Sequence, residues 1–191
     1  DSPNPMLSAK ITANQVATMY FAYSTQLLAE ISNILGKDEE SKYYKDLSSN
    51  IKLAFNEAYV NNDGIIDGDL QGLYTLAAYF KMADDETNNK FVKRLMEMID
   101  ENNGCLDTGF LATPIWLDTL CQYGYREAAY DLLLQEKSLS WLYQVNQGAT
   151  SIWESWQAIL EDGTRTITSY NHYSLGSVQD FIVREIAGLK K

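Results

Sequence analysis

Hydrophobic residues recur at helical spacing along the whole chain, and no segment sustains the strict alternation that is typical of a half-buried strand. The first apolar stripe runs through Met19, Tyr23, Leu27 and Ile31. The pattern predicts seven main helices and therefore an all-α fold. Their approximate ranges are 12–35, 39–59, 70–82, 84–100, 114–124, 125–135 and 171–188.

The connectors between these helices alternate in length. They are tight at Gly36, Asp84 and Gly124, and long after the second, fourth and sixth helices. In a chain of antiparallel helical hairpins, alternate connectors lie at opposite ends, so we expect the long loops to share one face. The third helix is apolar on nearly every side, whereas the second and fourth are half polar, which is typical of inner and outer helices alternating in a toroid. Seven helices are too few to close six hairpins, so we expect part of a larger domain or a smaller open bundle.

Charge and composition limit the function. The formal net charge of −11 disfavours binding to nucleic acid or to an anionic membrane surface, because both need a basic face, and a neutral ligand suits this charge better. No apolar run is long enough to span a bilayer. The single histidine, His172, excludes a multi-histidine metal site built from this chain alone. Cys105 and Cys121 lack a CxxC spacing, and we expect buried thiols, with a disulfide as the alternative.

The segment 147–156, QGATSIWESW, places one carboxylate between two tryptophans. Ser151 and Glu154 fit the S/T-x-x-E capping box, in which the glutamate reaches back to the serine amide. The three-residue spacing of Trp153 and Trp156 would place both indoles on one side of a helical turn. Such surfaces stack on the apolar faces of sugar rings, and a glutamate beside them is suited to acid–base catalysis. Capping and catalysis can coexist, and the spacing leaves both open.

The segment before the last helix holds the histidine. Asn171, or Ser169 just before it, is expected to cap this helix. His172 is either a hydrogen-bonded structural residue or a functional one, and its predicted place on the same loop face as Glu154 favours the second.

The loop CLDTGFLATP leads into the fifth helix, with Pro114 suited to the first helical position and Thr113 to its cap. Asp107 in this loop is a candidate pocket carboxylate. Among the thirteen tyrosines, Tyr143 and Tyr173 lie nearest to the loops that carry Glu154 and His172.

The loop 61–69 contains three aspartates and two glycines, which suggests a calcium loop: Asp63, Asp67 and Asp69 are the candidate ligands. The EF-hand spacing fails, because position five is Ile65 and position twelve is Gly72. We therefore expect a solvated turn.

Several motifs occur in a fixed order along the chain: DGDLQGLYTLAAYF, DTGFLATP, AAYDLLLQ, SWLYQVNQGATSIWESW and SYNHYSLGSVQDFIVREIAGL. In this order they resemble the inverting bacterial α-L-rhamnosidases, and the first two helices are similar as well, so the resemblance covers nearly the whole chain. Its most specific parts are WLYQVNQGATSIWESW and NHYSLGSV. The resemblance implies the C-terminal part of a catalytic (α/α)6 barrel, hydrolysis of terminal α-L-rhamnosyl bonds with inversion, and no cofactor or metal.

The resemblance also implies roles for individual residues. The glutamate between the two tryptophans is the general base in this family, and here it is Glu154. The histidine of the NHY motif contacts the bound sugar, and here it is His172. Trp153 and Trp156 would wall the pocket.

Two departures from the family pattern change what the resemblance implies. The general-acid glutamate of the family belongs to an Asp- and Arg-containing loop, and no such motif occurs in these 191 residues. Ser155 and Gln157 stand where an arginine and an aspartate are common in relatives, which alters the sugar contacts. We therefore expect residues 1–191 to form a single all-α domain that is a fragment of the barrel. It should have little or no turnover by itself and should self-associate through exposed helix faces.

Two other interpretations stay open. A trehalase-like or glucoamylase-like hydrolase would share the (α/α)6 fold, and a non-catalytic helical scaffold would bind carbohydrate without hydrolysing it. The resemblance implies a rhamnosylated glycan or glycoside as partner. It leaves open whether the compartment is extracytoplasmic or cytoplasmic in a bacterium.

Overall fold

The computed structural model describes residues 5–189 of the 191-residue chain. Within this range the only extended pairings are isolated bridges, Val60 with Ile66 and Ile159 with Arg165. A π-helical turn, Ile182–Ile186, follows the last α-helix, and the predicted all-α class is confirmed. The helices are α1 (Pro5–Ile34), α2 (Asp38–Tyr59), α3 (Gln71–Tyr79), α4 (Asp85–Glu101), α5 (Thr113–Gln122), α6 (Arg126–Leu133), α7 (Trp141–Asn146), α8 (Tyr173–Gly176) and α9 (Val178–Phe181).

The connectors alternate in length as predicted. Tight turns lie between α1 and α2, α3 and α4, and α5 and α6, whereas the loops 60–70, 102–112 and 134–140 are longer. The chain divides into two compact units, one ending at Leu95 and the other beginning at Met96. The common face for all the long loops stays a prediction.

In the first unit, α1 and α2 form a helical hairpin. The turn after α1 places Gly36 at a φ of +69°, a left-handed conformation that glycine adopts without strain. Two serines of α2, Ser41 and Ser48, donate hydrogen bonds to the carbonyl oxygens of Ala29 and Ala22, each over 2.9 Å. These short side chains let the two helices approach closely.

The predicted apolar stripe of α1 is wrong in its second half. Met19 is fully buried, but Leu27 and Ile31 are 37% and 51% exposed. The α2 serines bond to the α1 backbone, so the contact between the two helices requires short side chains. A prediction based on hydrophobicity alone favours large apolar side chains at these positions and therefore selects the wrong face. The buried face continues instead through Ala22, Thr25, Ala29 and Ser32.

α3 is buried on nearly every side, as predicted for an inner helix, whereas α2 buries one narrow face. The loop 60–70 before α3 is fixed by Tyr74, whose hydroxyl donates to Asp69 Oδ1 over 2.5 Å and accepts from the Ile66 N–H over 3.2 Å. Arg94 of α4 donates to both carboxylate oxygens of Asp69, over 3.2 and 2.9 Å. One buried tyrosine and one arginine therefore join this loop to α3 and α4.

In the second unit, the single helix predicted over 171–188 is divided into α8, α9 and the π-helical turn. The Ser177 hydroxyl donates to the Ser174 carbonyl oxygen over 2.7 Å, and such a local bond competes with continuation of the helix. This segment packs against α5, where Arg184 pairs with Asp118 over 2.7 Å.

The predictions for membrane spans and cysteines can be compared with the described residues. Among the helices within residues 5–189, none has both the length and the hydrophobicity needed to cross a membrane. Cys105 and Cys121 are not joined by a disulfide. Both are partly exposed, so their predicted burial is wrong.

Candidate active site

Residues 147–172, which contain both Glu154 and His172, form an irregular loop without a helix. Two parts of this loop lie side by side. The Glu154 N–H donates to the Ser169 carbonyl oxygen over 3.0 Å, and the His172 N–H donates to the Ile152 carbonyl oxygen over 2.8 Å. The antiparallel pairing places Glu154 and His172 on neighbouring segments, although they are far apart in the sequence.

The predicted capping box is wrong, because no helix begins at Ser151. The Ser151 hydroxyl donates to the Tyr170 carbonyl oxygen over 2.6 Å instead. Glu154 reaches across the loop: its Oε2 accepts hydrogen bonds from the Ser169 N–H over 3.0 Å and from the Thr168 hydroxyl over 3.3 Å. Since Glu154 is exposed, its carboxylate is both held in place and accessible.

Both tryptophans of the motif are buried, with 2% of Trp153 and 7% of Trp156 exposed. Trp153 lies edge-on to Tyr170 and Trp156 edge-on to Trp141, with ring centroids 5.9 and 5.0 Å apart. The Trp156 indole N–H donates to the Thr108 carbonyl oxygen over 3.1 Å. The predicted helical turn is absent from this loop, so the two indoles pack against different neighbours. They support the segment that carries the glutamate.

His172 caps α8 with its side chain, and the predicted caps, Asn171 or Ser169, are wrong. Its Nδ1 accepts a hydrogen bond from the Ser174 N–H over 3.3 Å. A neutral imidazole that accepts at Nδ1 carries its proton on Nε2. The ring thus keeps one N–H that can donate to a ligand hydroxyl.

Two exposed aromatic rings lie beside His172. Tyr173 stacks on the imidazole, with ring centroids 5.1 Å apart and an interplanar angle of 16°, and Phe110 lies at 6.3 Å. Tyr173 is 84% exposed and Phe110 is 54% exposed. These two rings, unlike the indoles of Trp153 and Trp156, present open faces to a ligand.

The loop 102–112 contacts the loop 147–172 at two residues: Phe110 lies beside His172, and the Thr108 carbonyl oxygen accepts from Trp156. Asp107, which directly precedes Thr108, is half-buried, and burial raises the pKa of its carboxyl. Thr113 is the first residue of α5 and does not cap it, because its hydroxyl donates backwards to the Gly109 carbonyl oxygen over 2.9 Å.

The suggested calcium loop does not form a metal site in the described part of the chain. Within residues 5–189, no group of three or more His, Cys, Asp and Glu side chains could hold a metal ion. Asp69 is engaged by Arg94 and Tyr74, and the hydrogen bond from Arg94, more than that from Tyr74, holds the pKa of its carboxyl below the usual value.

Comparison with known proteins gives a family for this arrangement. The sequence model of the bacterial α-L-rhamnosidase six-hairpin glycosidase domain matches residues 5–186. The chain belongs to this family. The predicted family and its helical six-hairpin class are thereby confirmed.

Relatives of this rhamnosidase family are similar over most of the chain. An α-L-rhamnosidase of Streptomyces avermitilis is 39% identical over 177 residues, which are 91% of this chain and 17% of that protein. One of Formosa agariphila is 34% identical over 178 residues, or 91% of this chain and 19% of that protein. The crystal structure of the S. avermitilis enzyme complexed with L-rhamnose has a TM-score of 0.87 at 38% identity, covering 91% of this chain and 17% of that one. The native Aspergillus terreus α-L-rhamnosidase has a TM-score of 0.84 at 34% identity, covering 88% and 20%.

The chain therefore spans a fifth or less of the length of the rhamnosidases it matches.

The sequence did not predict Thr168 or Phe110 as parts of this site, and it predicted Ser169 only as a helix cap. Thr168 and Ser169 bind Glu154 across the loop, and no local spacing rule connects them to it. Phe110 follows Gly109 in the DTGFLATP motif. A large apolar side chain next to a glycine in a long loop is the one sequence signal here of an exposed contact surface.

Proposed function

We propose that the protein containing this chain hydrolyses terminal α-L-rhamnosyl bonds with inversion, and that Glu154 is its general base. The supporting observation is the Glu154 carboxylate, which is exposed while its Oε2 is held by two donors. In inverting hydrolysis, one carboxylate takes a proton from the water that attacks the anomeric carbon. A second carboxyl, about 6.5–9.5 Å away, protonates the leaving oxygen.

His172, Trp153 and Trp156 shape the sugar site in this proposal. The Nε2–H of His172 donates to a sugar hydroxyl. The two buried tryptophans stabilise the segment that carries Glu154 by packing against the core. The open rings of Tyr173 and Phe110 stack on the apolar face of the sugar. A rhamnosylated glycan or glycoside, being neutral, suits the net charge of −11.

The 191 residues form part of a longer catalytic domain in this proposal, and the second carboxyl is supplied from elsewhere in it. The matched segment makes up 17% and 19% of two family relatives, and this sequence lacks an Asp- and Arg-containing acid loop. The chain by itself is therefore expected to show little or no turnover of an aryl α-L-rhamnoside. Robust turnover by the chain alone would refute this part of the proposal.

The test of the base role uses the full-length protein, an aryl α-L-rhamnoside and the Glu154→Gln variant. We expect kcat to fall by about 10²–10⁴-fold, which is the usual contribution of general acid–base catalysis. Glu161→Gln is the matched control, since Glu161 is an exposed carboxylate of the same loop. Near-equal rates for wild type and Glu154→Gln would remove Glu154 from the base role.

The stereochemistry and the substrate are tested separately. Inversion requires β-L-rhamnose as the first product in NMR spectra recorded during turnover, and α-L-rhamnose would contradict it. A panel of aryl glycosides separates a rhamnosidase from a trehalase-like or glucoamylase-like enzyme. Rhamnose binding without hydrolysis by the full-length protein would favour the non-catalytic scaffold.

A further inference from the structure

The Glu154 carboxylate is held asymmetrically. Oε2 accepts two hydrogen bonds, from the Ser169 N–H and the Thr168 hydroxyl. Within residues 5–189, no group donates to Oε1. The backbone is fixed at the same place, because the Glu154 N–H donates to the Ser169 carbonyl oxygen over 3.0 Å. One oxygen of this exposed carboxylate is thus anchored, whereas the other accepts no hydrogen bond from the described residues.

Two threonines of the same loop make different hydrogen bonds. The Thr166 hydroxyl donates to the carbonyl oxygens of Gln157 and Ala158, over 3.0 and 3.2 Å, and therefore holds the loop to itself. The Thr168 hydroxyl donates to the Glu154 carboxylate, which is its one partner in the described part of the chain. Only the second of these bonds can orient the carboxylate.

We propose that Thr168 is a positioning residue for Glu154, fixing Oε2 so that Oε1 alone receives the proton of the attacking water. The terminal torsion of a glutamate side chain is broad and roughly two-fold, so an exposed carboxylate otherwise samples many orientations. A general base must lie within about 2.6–3.2 Å of the proton that it removes, and small misplacements of a catalytic group are costly. This inference rests on the proposed base role of Glu154.

The test compares three variants of the full-length protein with an aryl α-L-rhamnoside. Thr168→Val keeps the shape of the side chain and loses its hydroxyl, and we expect kcat to fall about tenfold with KM changed less than about twofold. Thr168→Ser keeps a hydroxyl and should recover most of the rate. Thr166→Val removes a loop hydrogen bond without touching Glu154, and its kcat should stay near that of wild type.

Several outcomes would overturn the inference. An equal loss of kcat in Thr166→Val and Thr168→Val would show that the loop fold, and not the carboxylate, is responsible. A Thr168→Val enzyme with wild-type kcat would show that the hydroxyl is not needed. Thr168→Ala gives the same comparison if the valine variant does not fold, as judged by thermal denaturation.

A double variant separates this inference from the proposed function. If Glu154 is the base, Glu154→Gln abolishes most turnover and adding Thr168→Val lowers it no further. If Glu154→Gln leaves the rate unchanged, the base role itself fails. If Glu154→Gln is slow and Thr168→Val is as fast as wild type, the positioning role alone fails.

Discussion

Trp153 is almost completely buried and packs with Tyr143, Ala158 and Tyr170. Replacing it with alanine removes a large buried side chain and leaves a cavity. We therefore expect Trp153→Ala to lower the free energy of unfolding by about 3–5 kcal/mol, measured by urea denaturation. Ile167→Ala is the control in the same loop, because Ile167 is fully exposed, and it should change the free energy by less than about 0.5 kcal/mol. A Trp153→Ala protein as stable as wild type would contradict the packing role.

Tyr173 and Phe110 present the open rings beside His172, so their removal should act on binding rather than on folding. We expect Tyr173→Ala or Phe110→Ala to raise KM for an aryl α-L-rhamnoside about 2- to 10-fold in the full-length protein, while kcat stays similar. Tyr125→Ala is the control, since Tyr125 is an exposed ring in the turn between α5 and α6. Equal effects of Tyr125→Ala and Tyr173→Ala on KM would contradict a sugar-stacking role.

Only some residues of the candidate site could be proposed from the sequence. Glu154 and His172 stand in motifs that the resemblance singles out, and their roles stay predictions. Their geometry could not be predicted, because the Glu154 carboxylate is held by Thr168 and Ser169 across a loop, and hydrogen-bonding rules based on local spacing favour a capping box instead. The loop pairing depends on long-range contacts, which a residue pattern of short period does not encode.

The loop 60–70 is joined to α3 and α4 through one carboxylate, that of Asp69, which binds Tyr74 and Arg94. The hydrogen bond from Arg94 lowers the pKa of Asp69 in the folded protein, below the unfolded value of about 3.9. The stabilisation that this gives is fully present above about pH 4 and is lost as the pH falls through the folded pKa. We expect the difference in unfolding free energy between wild type and Asp69→Asn to be largest at pH 7 and to shrink as the pH falls below about 4.

Urea denaturation at several pH values between 7 and 2 measures this difference. Asp63→Asn serves as the control, because Asp63 is exposed in the same loop and pairs with no cation in the described residues, and it should shift stability by less than about 0.5 kcal/mol at pH 7. A wild-type to Asp69→Asn difference that stays constant down to pH 2 would exclude the ion pair as its source.

Helices were predictable where periodicity and end signals agree. α2 and α4 begin and end within one or two residues of the prediction, because a polar outer face and a buried inner face give a clear 3.6-residue pattern. The last predicted helix is divided, because the Ser177 hydroxyl donates to the Ser174 carbonyl oxygen. The hydrophobic pattern of this segment gives no sign of that bond. The buried face of α1 was missed for a related reason: its partners are serine hydroxyls, which a hydrophobic stripe does not reveal.

For the molecule as a whole, the family is shown by the match over residues 5–186, and the proposed inverting chemistry requires two carboxyl groups. Glu154, His172 and the aromatic rings all belong to the second unit, and the sequence contains no second carboxyl in the family's acid motif. The order of the motifs along the chain was sufficient to identify the family. The alternation of connector lengths was sufficient for the helical class. Neither signal identifies the second carboxyl group that the proposed inverting mechanism requires.

We expect the 191-residue chain to self-associate through exposed apolar residues of α1. Phe21, Leu28 and Ile31 are 53%, 46% and 51% exposed, and their spacing places them within about 80° of one another around the helix. We name these three residues the α1 stripe. A contiguous exposed apolar surface favours association, whereas the net charge of −11 opposes it. Association measured by sedimentation velocity should therefore increase with protein concentration and with salt, which screens the repulsion.

The double variant Phe21→Gln/Leu28→Gln interrupts the α1 stripe and should shift the chain towards monomer. Leu53→Gln is the matched control, because Leu53 on α2 is 62% exposed and lies outside the stripe. A chain that stays monomeric at every concentration and salt would contradict the prediction. Equal effects of the double variant and of Leu53→Gln would show that general surface hydrophobicity, and not the α1 stripe, causes the association.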